Sequence, residues 1–183
     1  MNLYPWQEKA WVKLKQANVK QHHASLFIGP LGSGLEKLAN TFATSLICRN
    51  LTDTKKACGK CQDCQWILTE HPNLKVVNNE AEEGTSKNIS IESIRNLKKF
   101  FELSSHIIGG NKVILINNTE SLTLNAANAL LKILEEPPEN SYLILTADNI
   151  SSLLPTIVSR CVIVPAPRPS REEAESFLKV EGF

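Results

Sequence analysis

The chain has 183 residues, enough for one α/β domain with a full core and the beginning of another. Its net charge of +1 excludes a general electrostatic attraction to nucleic acid, so any DNA contact would need a local basic patch. No apolar run approaches the roughly 18 residues of a membrane span, and the amphipathic N-terminus is unlike a signal peptide. We therefore expect a cytoplasmic protein whose cysteines stay reduced.

A glycine-rich loop follows the first predicted strand. Residues 25–28 form a short apolar run, and Gly29, Gly32 and Gly34 then precede a pattern of helical spacing. This order of strand, glycine loop and helix is the outline of a phosphate-binding loop, in which backbone N–H groups surround the phosphates.

The loop lacks the side chains that nucleotide chemistry needs. Leu35 occupies the position of the lysine that reaches the outer phosphates, and Glu36 the position of the hydroxyl that holds magnesium. Leucine donates no hydrogen bond, and a glutamate repels a triphosphate at short range. Lys37 lies two positions further along the helix, turned by roughly 200°, and does not replace the missing lysine. We therefore expect a vestigial loop that binds no ATP.

Cysteines are concentrated in one short segment, at Cys48, Cys58, Cys61 and Cys64. Two-residue gaps let neighbouring cysteines converge on one ion, and four thiolates complete a tetrahedral zinc site. Buried free thiols are the alternative, but the segment is too polar to bury them. The spacing predicts a structural Zn²⁺ site with no open coordination position, within a small insertion at about residues 48–66.

The rest of the chain alternates between apolar runs and helical patterns. This alternation predicts a five-stranded parallel sheet flanked by helices, with a mobile polar loop at residues 78–88. The further predicted strands are residues 74–77, 112–116, 142–146 and 162–164, with the main helices over 91–101 and 124–136.

The strand at 112–116, which we expect at the centre of the sheet, is followed by Asn117 and Asn118. A nucleoside triphosphatase needs an Asp at this tip to orient magnesium and a Glu to activate water. Asparagine has nearly the shape of aspartate but carries no charge. Together with the altered loop, this tip indicates a chain that does not hydrolyse ATP. Glu120 lies beyond the tip, where we expect a solvated surface residue.

Several motifs together resemble those of the bacterial replicative clamp-loader subunits of the AAA+ class. They follow in the same order along nearly the whole chain: Tyr4-Pro5-Trp6, the four cysteines, His71-Pro72, Asn125 to Pro138 (NAANALLKILEEPP) and Ser159-Arg160-Cys161. The resemblance implies a P-loop NTPase (AAA+/RecA-like) domain over residues 1–166 and the start of a helical lid domain over 167–183. The collar domain of the family is expected to be absent from this chain.

The resemblance also implies how such a chain would act. The gamma and tau ATPase subunits of the family keep the loop lysine and the acidic residues at the strand tip. This chain lacks them and so resembles the subunit of the family that does not hydrolyse ATP. In the family, the arginine at the position of Arg160 reaches ATP on a neighbouring subunit, while Ser159 and Cys161 are expected to shape its turn. The implied partners are the gamma/tau and delta subunits, the sliding clamp and primed template DNA through the assembled complex, whereas the isolated chain is expected to be monomeric.

Two alternatives stay open at the level of sequence. An ATP-hydrolysing subunit of the gamma/tau type would bind ATP and magnesium. A zinc-stapled DNA-binding module would instead bind duplex DNA in a salt-dependent way.

Overall fold

Helices and strands alternate along the chain in the computed structural model, which describes residues 3–16, 22–79, 88–102 and 110–182. The elements in chain order are a 3-10 turn Pro5–Gln7, α1 Glu8–Gln16, β1 Ala24–Ile28, α2 Leu35–Ile47, α3 Gln62–Ile67, β2 Leu74–Val77, α4 Ile91–Glu102, β3 Lys112–Ile116, a 3-10 turn Thr119–Ser121, α5 Leu124–Glu135, β4 Ser141–Ala147, a 3-10 turn Ile150–Ser152, α6 Pro155–Val158, β5 Val162–Pro165 and α7 Arg171–Glu181. The bounds of β2 and β3 agree with those predicted, and the other strands are longer by one or two residues.

The strands form one parallel sheet in the order β2-β3-β4-β1-β5, which confirms the predicted fold class. The middle strand is β4, whereas we expected β3 at the centre. The apolar run of β3 does not require that position, because helices cover both faces of the sheet and every residue of β3 is buried.

The core forms two layers, one on each face of the sheet. Successive side chains of a strand point to opposite faces. Val113 and Leu115 therefore pack in the cluster that contains α1 and α2, and Ile114 and Ile116 pack in the cluster that contains α4, α5 and α6. The carboxyl ends of all five strands meet at one edge, where ligands of open α/β sheets commonly bind.

Two further expectations concern a polar loop and membrane-spanning helices. The predicted loop at residues 78–88 falls mainly on residues 80–87, which lie outside the described residues. Within the described ranges, no helix combines the length and the apolar composition that crossing a bilayer requires.

Candidate functional site

The glycine loop lies between β1 and α2, as predicted. Gly32 and Gly34 have φ angles of 82° and 78°, in the left-handed region that favours glycine. Leu35 begins α2 and is buried in the core, so it points away from any ligand. Glu36 lies in the first turn of α2, where its carboxylate itself complements the positive end of the helix dipole. A phosphate would have to compete with this carboxylate.

Side chains of the N-terminal segment pack against this loop. Trp6 Nε1 donates to the Ser33 carbonyl at 2.9 Å. Gln7 is fully buried, and its Nε2 donates to the carbonyls of Ser33 at 3.1 Å and Gly34 at 2.7 Å. A Cβ on Gly34 would lie 2.5 Å from atoms of the Tyr4 ring, so the loop and this segment are in close contact. The sequence alone did not predict these contacts.

An aromatic cluster joins the loop region to α7. The rings of Tyr4 and Trp6 stack with centroids 4.8 Å apart. Phe177 of α7 meets them edge-on, with centroid distances of 5.2 Å to Tyr4 and 5.6 Å to Trp6. The Lys37 ammonium lies 3.9 Å from the centroid of the Tyr4 ring, a distance typical of a cation–π contact. The space beside the loop is thus lined by aromatic side chains of the same chain.

The tip of β3 is a neutral network of amides. Asn117 Nδ2 donates to Asn78 Oδ1 at 2.8 Å, and Asn117 Oδ1 accepts from Thr146 Oγ1 at 3.3 Å. Asn118 Nδ2 donates to Asn79 Oδ1 at 3.0 Å. An amide both donates and accepts, so amides can pair with one another where two carboxylates would repel. The contacts described here contain no ionised group that would hold magnesium.

Glu120 is not the solvated residue that the sequence analysis expected. Its Oε1 accepts a hydrogen bond from the Asp148 N–H at 3.3 Å. Its Oε2 is buried and has no hydrogen-bond partner among the described residues. The expectation was wrong because the 3-10 turn Thr119–Ser121 brings this carboxylate to the loop after β4.

The four predicted metal ligands lie together. The Sγ atoms of Cys48, Cys58, Cys61 and Cys64 are all within 4.8 Å of one another. The Cys48–Cys61 and Cys58–Cys64 sulfur distances are 3.8 Å and 3.9 Å. Sulfurs at about 2.3 Å from a tetrahedral zinc ion are about 3.8 Å apart, so this arrangement fits a four-cysteine metal site.

Secondary structure fixes the positions of these cysteines. Cys48 is the C-cap of α2, and Cys61 is the N-cap of α3, which also carries Cys64. The spacing of the cysteines did not predict α3. Gly59, with a φ of 72°, forms the turn after Cys58. Two helix ends and a tight turn thus bring the four sulfurs together.

Backbone N–H groups make the cluster suitable for negative charge. Those of Lys60 and Cys61 donate to Cys58 Sγ at 3.4 Å and 3.3 Å, and they lower the pKa of the Cys58 thiol to about 6. Burial raises the pKa of Cys64 to about 12 and also raises that of Cys48. Without a cation, the cluster therefore favours a mixture of thiol and thiolate, and a bound metal ion would stabilise the fully ionised set.

Polar contacts centred on the buried side chain of Asp63 connect the cysteine segment to the start of β2. Arg49 Nε lies 2.9 Å from Asp63 Oδ2, and His71 Nε2 lies 3.6 Å from Asp63 Oδ1. His71 Nδ1 accepts the Asn73 N–H at 3.0 Å, which leaves the proton of the neutral ring on Nε2, facing Asp63. Burial lowers the pKa of His71 and so favours this neutral form. His71 therefore has a structural role in the described fold.

Arg160 lies in the turn between α6 and β5, with 35% of its side chain exposed. One terminal nitrogen donates to the Thr156 carbonyl at 2.9 Å, and the other to Glu135 Oε1 at 2.7 Å. Ser159 Oγ donates to the same carbonyl at 3.1 Å. Burial raises the pKa of the Cys161 thiol to about 12, which makes it unsuited to act as a nucleophile. The contact of Arg160 with Glu135 spans 25 positions and was not predicted from the sequence.

Sequence comparisons identify relatives of this chain. A family model described as DNA polymerase III, delta subunit, matches residues 6–169. Among curated relatives, the DNA polymerase III subunits delta' of Pseudomonas aeruginosa, Haemophilus influenzae and Escherichia coli are 39%, 35% and 32% identical to this chain. The alignments cover 92%, 97% and 99% of this chain and 50%, 53% and 54% of the relatives. The chain thus spans about half the length of the curated relatives it matches.

Comparison with solved structures supports the same fold. A DNA polymerase III gamma subunit-related protein from Thermotoga maritima superimposes with a TM-score of 0.60 and 22% identity, over 93% of this chain and 49% of that one. The Holliday junction branch migration motor RuvB of the same organism gives a TM-score of 0.56 and 13% identity, over 98% of this chain and 50% of that one. At such low identity these likenesses concern the fold alone. Taken with the family match over residues 6–169, they lead to one conclusion: the chain belongs to the DNA polymerase III delta subunit family and has the P-loop fold of AAA+ proteins.

Proposed function

We propose that this chain is the AAA+ part of a delta'-type clamp-loader subunit that hydrolyses no ATP and supplies Arg160 to the ATP site of a neighbouring subunit. The observation that carries the proposal is the packing of Trp6 and Gln7 against the carbonyls of Ser33 and Gly34. These contacts hold the loop through its own carbonyls, so its conformation does not depend on a bound nucleotide.

Electrostatics favours the same assignment. Leu35 and Glu36 supply no cation for the outer phosphates, and the amides of Asn117 and Asn118 supply neither a magnesium ligand of full charge nor a base for water. A single substitution that restored one of these groups would leave the others absent. We therefore infer that this chain assists the hydrolysis of ATP bound to a neighbouring subunit and hydrolyses none itself.

Arg160 has the chemistry for such a role. A guanidinium carries five N–H donors, and two of them bind Thr156 O and Glu135 Oε1. The other three have no acceptor in the described part of the chain, so a phosphate of a neighbouring subunit could accept from them. An arginine that stabilises the charge developing on a transferred phosphoryl group is worth about 10³–10⁵ in rate.

The cysteine cluster fits a structural zinc ion. Cys48, Cys58, Cys61 and Cys64 would occupy all four tetrahedral positions, which leaves none for a substrate. When bound, the ion would supply a cross-link between the end of α2 and α3. Elemental analysis of protein purified without chelator should find one zinc per chain. Four freely titratable thiols and no metal would contradict this assignment.

The family supports a wider setting for this proposal. We propose that the protein is cytoplasmic and that its neighbours are the gamma/tau and delta subunits. The assembled complex would act on the sliding clamp and on primed template DNA. Within the chain, residues 1–166 would form the AAA+ domain, and α7 would belong to the next unit. Its Ser170 cap and Glu173 form a capping box that begins this helix.

The decisive test is the ATPase rate of the complex reconstituted from the protein in its full natural length and its partner ATPase subunits. Arg160→Ala should strongly lower hydrolysis at the interface it serves while assembly, measured by gel filtration, is retained. Arg171→Ala is the control, because Arg171 is an exposed arginine paired with Glu175 on its own helix. Equal rates for the two variants would contradict the proposal.

Calorimetry separates this function from that of an active ATPase subunit. ATP with magnesium should produce no binding heat with this chain. Micromolar affinity that Leu35→Glu abolished would instead assign the chain its own nucleotide site, because Leu35 lies at the position of the phosphate-contacting lysine.

A further inference from the structure

The acidic partner of Arg160 is the last residue of α5. Glu135 Oε1 accepts from the Arg160 guanidinium at 2.7 Å, which links the end of α5 to the turn before β5. A carboxylate at the C-terminus of a helix faces the negative end of the helix dipole, an unfavourable position for it alone. The guanidinium offsets this disadvantage, so the two residues are electrostatically matched.

We propose that Glu135 is a positioning residue, which holds the Arg160 side chain in one orientation before a neighbouring subunit presents its phosphate. The inference rests on the proposed function of Arg160 and adds a second residue to it. Glu135 itself would not touch the nucleotide.

The geometry supports this role because the guanidinium is held at two points. Thr156 O accepts from one terminal nitrogen at 2.9 Å, and Glu135 Oε1 accepts from the other. The base of the side chain is fixed as well, since the Arg160 N–H donates to Ile157 O at 3.1 Å and the Cys161 N–H donates to Val158 O at 3.2 Å. Only the side-chain torsions of Arg160 are left to order, and the two acceptors order them.

Ordering in advance has a calculable benefit. A long side chain immobilised only on binding loses rotamer freedom, and the usual size of this loss corresponds to about a two- to tenfold change in an equilibrium or rate constant. With Glu135 present, that ordering precedes the encounter with phosphate. Removing Glu135 should therefore slow hydrolysis by about two- to tenfold.

The charge of Glu135 opposes this benefit only weakly. Its carboxylate would repel a phosphate bound to Arg160, but 49% of the Glu135 side chain is exposed. Solvent and salt screen the interaction of exposed charges. We therefore expect the positioning effect to prevail, so that loss of Glu135 lowers the rate and does not raise it.

The test uses the reconstituted complex with the full-length protein, and the matched control is the neighbouring glutamate. Glu136→Ala removes the same charge from the same helix end, and Glu136 makes no bond with Arg160 in the described part of the chain. Glu135→Ala should lower kcat about two- to tenfold and leave the KM for ATP unchanged, because the arginine acts in the transition state. Glu135→Gln keeps an acceptor oxygen and should give an intermediate rate, and it serves if Glu135→Ala does not fold. Glu136→Ala should match the unmodified protein.

A double variant tests whether Glu135 acts through Arg160. In the Arg160→Ala background, Glu135→Ala should have no further effect, since the side chain that it positions is gone. A further loss in that background, or equal rates for Glu135→Ala and Glu136→Ala while Arg160→Ala is slow, would overturn this inference alone. An unchanged rate for Arg160→Ala would overturn the proposed function and this inference with it.

Discussion

The contact between the N-terminal segment and the glycine loop predicts unequal effects of two glycine substitutions. Gly32 and Gly34 both have positive φ angles, so an alanine at either position carries a similar backbone strain of roughly 1–2 kcal/mol. Their surroundings differ. A Cβ at Gly32 meets no atom within 4 Å in the described structure, whereas a Cβ at Gly34 would lie 2.5 Å from the Tyr4 ring and 2.8 Å from Gln7 Nε2.

The additional loss at Gly34 can be estimated from the contacts that must move. Gln7 makes two hydrogen bonds to loop carbonyls, each worth about 0.5–1.5 kcal/mol net. Tyr4 stacks on Trp6, and aromatic pairs of this kind contribute about 0.5–1.5 kcal/mol beyond their buried area. Gly34→Ala should therefore lower the free energy of unfolding by about 2–4 kcal/mol more than Gly32→Ala.

Urea denaturation followed by tryptophan fluorescence measures both variants under the same conditions, and the slope of the transition shows whether the denatured state has changed. The loop contact described here requires Gly34→Ala to be clearly the less stable variant. Equal decreases in the free energy of unfolding of the two variants would mean that Tyr4 and Gln7 do not pack against the loop in solution. That result would refute the reasoning.

Two further predictions concern the pH dependence of zinc binding and the contribution of Lys112 to stability. Zinc affinity of the cysteine cluster should fall as pH falls, because Cys64, with its pKa raised to about 12, must lose a proton on binding, and the decline should steepen below about pH 6, where Cys58 is protonated too. Competition with a chromophoric chelator at several pH values measures this, and an affinity independent of pH would contradict it. Lys112→Met should lower the free energy of unfolding by about 2–4 kcal/mol, because Lys112 Nζ donates to the carbonyls of Phe100 at 2.8 Å and Phe101 at 3.0 Å at the end of α4. The exposed Lys75→Met on β2 is the control, and similar losses in both proteins would show that these carbonyls do not depend on Lys112.

Sequence reasoning succeeded where the signal is local. The bounds of β3 follow from a run of five apolar or partly apolar residues, and its burial on both faces follows from the absence of alternation. The cysteine cluster was predictable because Cys58, Cys61 and Cys64 are close in sequence and thiols have few other uses in a polar segment. The glycine loop was predictable for the same reason, because its strand, turn and helix follow one another directly in the sequence.

Sequence reasoning failed where one polar side chain meets a distant partner. Gln7 has no property that distinguishes it from a solvated glutamine, and its contacts with the loop span 26 and 27 positions. Glu135 and Glu136 are adjacent and chemically identical, so only the packing of α5 against α6 shows which of them meets Arg160. Glu120 was misplaced for the same reason, since its contact with Asp148 depends on how two loops meet at the edge of the sheet.

The contacts around the loop stabilise it from within the chain. A ligand that binds only the folded state stabilises it by an amount that depends on its concentration. Trp6 and Gln7 bind the loop carbonyls from within the chain, and Phe177 of α7 packs on Tyr4 and Trp6, so these contacts are independent of any ligand concentration. The loop and α7 are therefore joined directly by protein side chains. Under the function proposed above, the loop of this chain needs no nucleotide of its own to keep its conformation.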